Sequence, residues 1–331
     1  MPKVSIIVPC YNEQSTIRLL LNAIYQQRFA LDEMEVIIAD GMSTDDTRQE
    51  IAAFQEEHAD LAIRVVDNTQ RIIPAGLNRA LEAAAGEFIV RLDAHSVPDK
   101  MYVMHSVAGV KAGLGDNVGG VWHIQPGAAG WVAESIAVAA GHPLGVGGAL
   151  YRYATTAAEV DTVPFGAFRR SLLDEVGMFD ETLLTNEDYE FNTRIRLNGG
   201  KIWLNPEIHS VYFARETFGK LARQYFRYGF WKWRMLKRYP DTVRWRQALP
   251  PVFVLSLIVL ATAALFWPLA GRLLGLEILA YFAVLVLGTG PLAVKHRKPY
   301  FLVSVPLAIA VMHLCWGSGF LISIVSRSSK S

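Results

Sequence analysis

Three short stretches of this chain combine side chains that can do chemistry. Arg91-Leu-Asp93-Ala-His95 sets a carboxylate and an imidazole two positions apart. Both are metal-ligand types, and together they can reach one divalent ion that also bridges a diphosphate. The plain alternative is a solvated turn. Thr185-Asn-Glu187-Asp188-Tyr-Glu190 puts three acids within four residues at the start of a helical pattern. A helix N-terminus stabilises acids, so capping accounts for part of this. The same position also holds one carboxylate rigidly enough to serve as a general base. Asp40-Gly-Met-Ser-Thr-Asp-Asp46 is a carboxylate on a glycine turn. It either accepts hydrogen bonds from a nucleobase or ribose, or it is an N-capped turn.

The elements that position these residues alternate in type. Apolar, β-rich runs at 4–8, 36–39, 63–66 and 88–92 predict strands. Helical spacing fills 13–28 through Ile17, Leu20, Leu21, Ile24 and Tyr25. Ser43 and Thr44 offer an N-cap to a second helix, and a third over 74–85 stops at Gly86. Such alternation predicts a mostly parallel sheet with helices on both faces. Ligands of these sheets gather beyond the carboxyl ends of the strands. Asn12, Glu13, Asp40, Asp67, Asp93 and His95 all fall there. A row of acids at one edge is costly unless something cationic sits among them.

Composition narrows the class. Of 331 residues, 52% are hydrophobic and 19% are charged, against about 25% charged in ordinary soluble domains. That excludes a disordered chain. Cys10 and Cys315 are the only cysteines, which excludes a disulfide framework or a zinc cage and fits a reducing cytoplasm. The net charge of +1 gives no global basic excess for nucleic acid. Its distribution is uneven. Residues 1–214 carry 16 basic and 28 acidic side chains, 215–250 carry 10 and 2, and 251–331 carry 6 and 1. An acidic domain, a basic stretch and an apolar tail form the pattern of a domain fixed to an anionic membrane face. We divide the chain accordingly at 1–215, 216–250 and 251–326.

The tail contains three apolar runs, at 251–270, 276–294 and 300–325, each suited to a spanning helix. Lys295, His296, Arg297 and Lys298 separate the last two, and Arg244 and Arg246 precede the first. Positive charge marks cytoplasmic loops, so the N-terminal domain and the Lys295 loop are expected there. A third crossing leaves Arg327 and Lys330 outside, against that rule; a re-entrant third segment is the alternative. Met1 leads directly into a strand pattern, without a signal-peptide signature. Residues 218–239 mix seven Lys and Arg with eight aromatics. That mixture fits a helix in the headgroup region or single-stranded nucleic acid, and the neighbouring spans favour the membrane. Gly141 to Gly148 lacks the ending of a P-loop and is expected to form a flexible loop beside an acceptor cleft.

Taken together, Val4-Ser-Ile-Ile-Val-Pro9-Cys-Tyr11-Asn-Glu13, the Asp40 turn, Arg91-x-Asp93-x-His95 and Asn186-Glu187-Asp188 resemble glycosyltransferase family 2 in order and spacing. The likeness covers about residues 3–250. Asp161-Thr-Val-Pro-Phe-Gly-Ala-Phe-Arg-Arg170 and Gln224-Tyr-Phe-Arg-Tyr-Gly229 resemble its succinoglycan-biosynthesis glucosyltransferase branch, in bacterial exopolysaccharide assembly. The resemblance implies an α/β fold of the GT-A type (Rossmann-like, with a mostly parallel sheet), followed by an interfacial amphipathic helix and transmembrane helices. It implies an inverting transfer of a hexose such as glucose from a nucleotide-sugar donor, a UDP-sugar, with manganese or magnesium. Donor binding falls to Pro9, Tyr11, Glu13, Asp40, Arg71, Arg91 and Asp93, and the metal to Asp93 and His95. Asp188 is the implied base, with Glu187, Gln224, Arg227 and Tyr228 at the acceptor and diphosphate.

Two departures stand out. Only Asp40 remains of the family's usual acidic pair before the glycine turn, since Ala39 precedes it. Tyr228 replaces the tryptophan that closes the family's Q-x-x-R-W element. The implied acceptor is a saccharide on a polyprenyl diphosphate at the cytoplasmic face of a bacterial inner membrane. Membrane lipids are then partners, nucleic acid is not, and an oligomer is possible. The rival readings are a processive polysaccharide synthase and a catalytically inactive membrane scaffold of a polysaccharide-assembly complex.

Overall fold

A computed structural model describes residues 2–240 and 244–326; the expectation for Arg327 and Lys330 lies outside the described residues. The chain starts with β1 (Val4–Cys10), α1 (Ile17–Tyr25), β2 (Met34–Asp40), α2 (Thr47–Glu57), β3 (Ala62–Asp67), α3 (Ile73–Ala83) and β4 (Phe88–Arg91). There follow β5 (Val97–Pro98), α4 (Tyr102–Lys111), β6 (Asn117–Pro126), α5 (Trp131–Ala140), α6 (Pro143–Val146), β7 (Ala158–Glu159), β8 (Ala167–Arg169), α7 (Leu172–Val176), α8 (Glu187–Leu197) and β9 (Ile202–Ala214). The last helices are α9 (Phe218–Arg238), α10 (Trp245–Ala264), α11 (Pro268–Lys295) and α12 (Phe301–Val325).

Two compact units result. One comprises Met1–His123 with Leu150–Tyr212, the other Ile124–Ala149 with Phe213–Ser331. The sequence reading draws its border at 215, whereas packing groups the Ile124–Ala149 insertion with the C-terminal helices. The reason is local: α5 reads WVAESIAVAA and buries six of its ten residues.

Among the described residues the sheet runs β3-β2-β1-β4-β8-β6-β9-β5, with β7 on β9. Its first four strands are parallel. The pairs β4–β8, β8–β6, β9–β5 and β9–β7 are antiparallel. The sheet is therefore mixed: the alternating βα pattern shows in its parallel half, and the sequence carries little sign of the other. Residues of β1 alternate between two cores. Val4, Ile6 and Val8 pack with Leu20, Ile24 and Phe54 on one face; Ile7 packs with Leu77, Leu81 and Phe191 on the other. Near-continuous apolar runs are what strands covered on both faces require.

Two helix ends differ from expectation. α2 starts at Thr47, because the Ser43 hydroxyl is committed to Asp40 Oδ1 (2.5 Å) and Asp45 receives the Thr47 N–H (3.1 Å). α3 ends at Ala83, and Gly86 instead meets β1, donating its N–H to Ser5 Oγ at 2.8 Å.

In the second unit, α5 and α6 pack against α12. Four of the eight residues of the expected flexible loop form α6. His142 Nδ1 accepts the Leu144 N–H at 3.2 Å, and a Cβ at Gly145 would collide with the Ala139 carbonyl. α10, α11 and α12 are each long and apolar enough to cross a membrane.

Candidate functional site

The parallel register aligns the ends of three strands. Cys10 pairs with Asp40, and Asp40 with Asp67. The loops after β1 and β2 are tied to each other there. Asn12 N–H donates to Ser43 Oγ (2.9 Å), Thr44 N–H to Asn12 Oδ1 (2.8 Å) and Glu13 N–H to Thr47 Oγ1 (2.8 Å). Asn12, Met42, Arg71, Phe165 and Asn186 hold positive φ angles of 51–71°. These five sit in the loops that follow β1, β2 and β3 and precede β8 and α8. Backbone strain of this kind persists only where the surroundings enforce it, and it concentrates at functional sites.

Two arginines organise the acids along this edge. Arg48, from α2, gives its Nε to Asp40 Oδ2 and its Nη2 to Asp67 Oδ1, both at 2.6 Å. Asp40 is fully buried, and its carboxylate also receives the Ser43 N–H (3.1 Å). The surface above it belongs to Ser43, Thr44, Asp45, Arg48, Gln49 and Ala52, which line a shallow open depression. The sequence reading assigned Asp40 to the donor and missed Arg48; what the edge exposes is the arginine, and Asp40 stands behind it.

Arg91 is the second centre. Its side chain is only 3% exposed, yet it bonds three acids from two elements. Nη2 lies 3.2 Å from Asp93 and 3.0 Å from Glu187, and Nη1 donates to Asp188. The Phe165 ring lies 5.8 Å from the guanidinium. Burial disfavours the Arg91 charge, but the carboxylates of Asp93 and Glu187 outweigh it and raise its pKa above the ordinary value. Asn186, in the left-handed conformation, turns the chain into α8. That turn brings Glu187 and Asp188 to an arginine almost a hundred residues earlier.

His95 lies nearby in sequence but faces another acid. Its Nδ1 is 3.0 Å from Glu13 Oε1, and Thr16 bonds the other Glu13 oxygen. Burial pushes the Glu13 pKa up, but the His95 and Thr16 hydrogen bonds and the charge of His95 outweigh it, for a net fall below the usual carboxylate value. Tyr11 is half-exposed, and its ring lies against Gly41. Pro9 is part of β1, paired with Ala39. Arg71 is exposed in the loop after β3. Gln224, Arg227 and Tyr228 lie on α9 in the second unit, where Gln224 Nε2 donates to the Tyr228 hydroxyl at 2.9 Å.

Asp93 and His95 suit a divalent cation by donor type. The charge balance agrees: three carboxylates share the Arg91 guanidinium, which leaves a partly buried excess of negative charge. Among the described residues no group of three or more His, Cys, Asp or Glu forms a metal cage. The residues fit an ion bound mainly through a diphosphate, as magnesium and manganese often are.

The mixed sheet, with its acidic edge, is that of the GT-A glycosyltransferases. The model of "Glycosyl transferase family 2" matches residues 5–177, and the chain belongs to that family. It is 30% identical to the succinoglycan biosynthesis protein ExoA of Rhizobium meliloti, over 95% of this chain and 93% of that one. It is 26% identical to a Methanococcus voltae dolichyl N-acetyl-alpha-D-glucosaminyl phosphate 3-beta-D-2,3-diacetamido-2,3-dideoxy-beta-D-glucuronosyltransferase, over 98% of both. Among solved structures, the mannosyltransferase PcManGT of Pyrobaculum calidifontis, in complex with GDP-Man and Mn2+, matches with a TM-score of 0.63. The identity is 22%, over 98% of this chain and 88% of that one. The protein is thus a glycosyltransferase.

Proposed function

We propose that the protein transfers a hexose, with inversion, from a UDP-sugar to a saccharide on a polyprenyl-diphosphate carrier during extracellular polysaccharide synthesis. The observation that carries this is the convergence of Asp93, Glu187 and Asp188 on Arg91 at the ligand edge of the sheet. The name of one relative, with its dolichyl phosphate saccharide, supports a carrier-linked acceptor, and that of the other, succinoglycan biosynthesis, supports polysaccharide synthesis. The apolar helices support delivery of the acceptor from a membrane, with the catalytic domain on the cytoplasmic side of the inner membrane.

In this reading Asp188 is the base. It is 25% exposed, and Arg91 fixes one of its oxygens. As the acceptor oxygen bonds to the anomeric carbon, its proton passes to Asp188. The bond from that carbon to the diphosphate breaks on the opposite face, which inverts the configuration. Arg91, itself held by Glu187, keeps Asp188 in place. Tyr11 supplies a ring for the base of the nucleotide, and Arg48 a cation at the rim. Asp93 and His95 would hold a divalent cation that, when bound, offsets charge on the departing diphosphate. Water must be excluded from the loaded site, or the donor is merely hydrolysed.

The test separates binding from transfer. A folded Asp188→Asn protein should bind nucleotide as the parent does, while transfer falls on the order of 100- to 10,000-fold, as loss of a general base predicts. Near-parental transfer by that variant would remove Asp188 from the role. Calorimetry with UDP and GDP, each with and without manganese, decides the donor base, and preferential GDP binding would replace the uridine assignment.

A further inference from the structure

Among the described residues the second unit contains three helices long and apolar enough to span, and their packing separates the third from the other two. Four chain positions fix which side of a bilayer each element occupies. The Ile124–Ala149 insertion leaves the first unit and rejoins it within 26 residues. That is too short to cross and return, since each passage takes about 20 helical residues. Its α5 packs against α9, with the Trp131 and Phe218 rings 6.4 Å apart, so Glu134 is on the side where α9 lies. α9 exposes Lys220, Arg223, Arg227, Lys237 and Arg238. A helix so charged stays at headgroup depth, and the start of α10 at Arg244 is on that side too. Glu134 bonds Lys298 (2.6 Å) and Tyr300. The α11–α12 turn is therefore back on the starting side, after two crossings by α10 and α11.

α12 leaves this turn and remains among the same partners. Ser304 bonds Ser135 of α5 at 2.7 Å. Further along, the backbones of α9 and α12 touch. A Cβ at Gly229 would collide with the Trp316 carbonyl, and one at Gly319 with the Phe226 carbonyl. Gly317 meets the Pro250 carbonyl, near the start of α10, in the same way. Residues 316–320 thus lie against elements of the starting side. Beyond them the helix has only five residues, ending at Val325. At 1.5 Å per residue this is about 8 Å, against a hydrocarbon thickness of about 30 Å.

We infer that α12 does not cross the membrane. It lies with α9 as one amphipathic plate in the interface of a lipid bilayer, and Ser326 is on the same side as Arg244. The exposed side chains of α9 are basic, while those of α12 are apolar, Leu302, Val303, Leu307, Leu314, Ile324 and Val325 among them. The first set faces anionic headgroups and the second faces acyl chains. The composition of α12 alone reads as a span because the polar half of the plate comes from another helix.

Single cysteines placed at Arg246, Phe266 and Ser326, in a Cys10→Ala/Cys315→Ala background, test this in sealed membrane vesicles with a membrane-impermeant maleimide. Arg246→Cys marks the starting side, and Phe266→Cys, in the α10–α11 turn, the far side. Ser326→Cys is expected to label only from the Arg246 face. Labelling from the Phe266 face, or from neither, overturns the inference. So does labelling of the two markers from one face, because α10 would then not be a span.

Discussion

Arg48 and Arg91 stand at the same sheet edge and do opposite things. Arg48 joins two acids, is 41% exposed and completes a turn that could stand alone. Arg91 is buried, joins three acids and leaves negative charge over. The first cluster is closed by hydrogen bonds to Asp40 and keeps one negative charge over, at exposed Asp67; the second keeps two, partly buried. The contrast separates a hydrogen-bonded rim from a buried charged centre, although the sequence presents both as acids after strands.

Removing Arg91 should give the largest effect. Arg91→Met leaves three carboxylates without their buried counter-charge, and loss of one partner of a buried ionic group costs about 3–5 kcal/mol. Thermal unfolding should show this, with transfer abolished in whatever folds. A milder change at the same centre is Asp93→Asn, which keeps the shape but lowers the residual charge. Nucleotide binding should then lose its dependence on manganese in calorimetry, while circular dichroism stays unchanged. For the closed cluster, Arg48→Ala leaves buried Asp40 one partner short, at about 1–3 kcal/mol. The exposure of Arg48 places the expected loss at the low end of that range. A chemical-denaturation series on the two arginine variants sharpens the contrast, and a costlier loss at Arg48 than at Arg91 would break it.

The smallest effect concerns Glu13, which belongs to neither cluster. Its pKa is lowered in the folded protein, so its contribution is present above the usual carboxylate range. It is lost as pH falls through the lowered value. Glu13→Gln should therefore lower stability slightly in the neutral region and meet the parental curve at low pH, which flattens the acid limb. A parental acid limb in the variant would show that the His95 contact contributes nothing.

The sequence displayed some of this and hid the rest for physical reasons. The parallel strands were legible because buried strands need unbroken apolar runs, as in Val36-Ile-Ile-Ala39. The acids were legible because they end those runs. Arg48 was not, since a cation inside a polar helix such as TRQEIAAFQEE looks like surface until the β2–β3 register brings Asp67 to it. The pairing of His95 with Glu13 spans 82 residues and leaves no local trace. β5, β7 and β8 have two or three residues each, too few to show any period. The Ile124–Ala149 insertion was placed by chain order, whereas burial of α5 groups it elsewhere. The acids of Asn186-Glu187-Asp188-Tyr-Glu190 were visible, but not the arginine that gathers two of them.

The left-handed residues have a further consequence, for heat. Met42, Arg71 and Phe165 carry a thioether, a guanidinium and a ring where the backbone alone would prefer glycine. Each such placement costs about 1–2 kcal/mol. A lineage selected only for endurance would have relaxed them. On warming, the loops that contain them should loosen before β1 and β2 part, so the enzyme would stop working while most of its sheet is still folded.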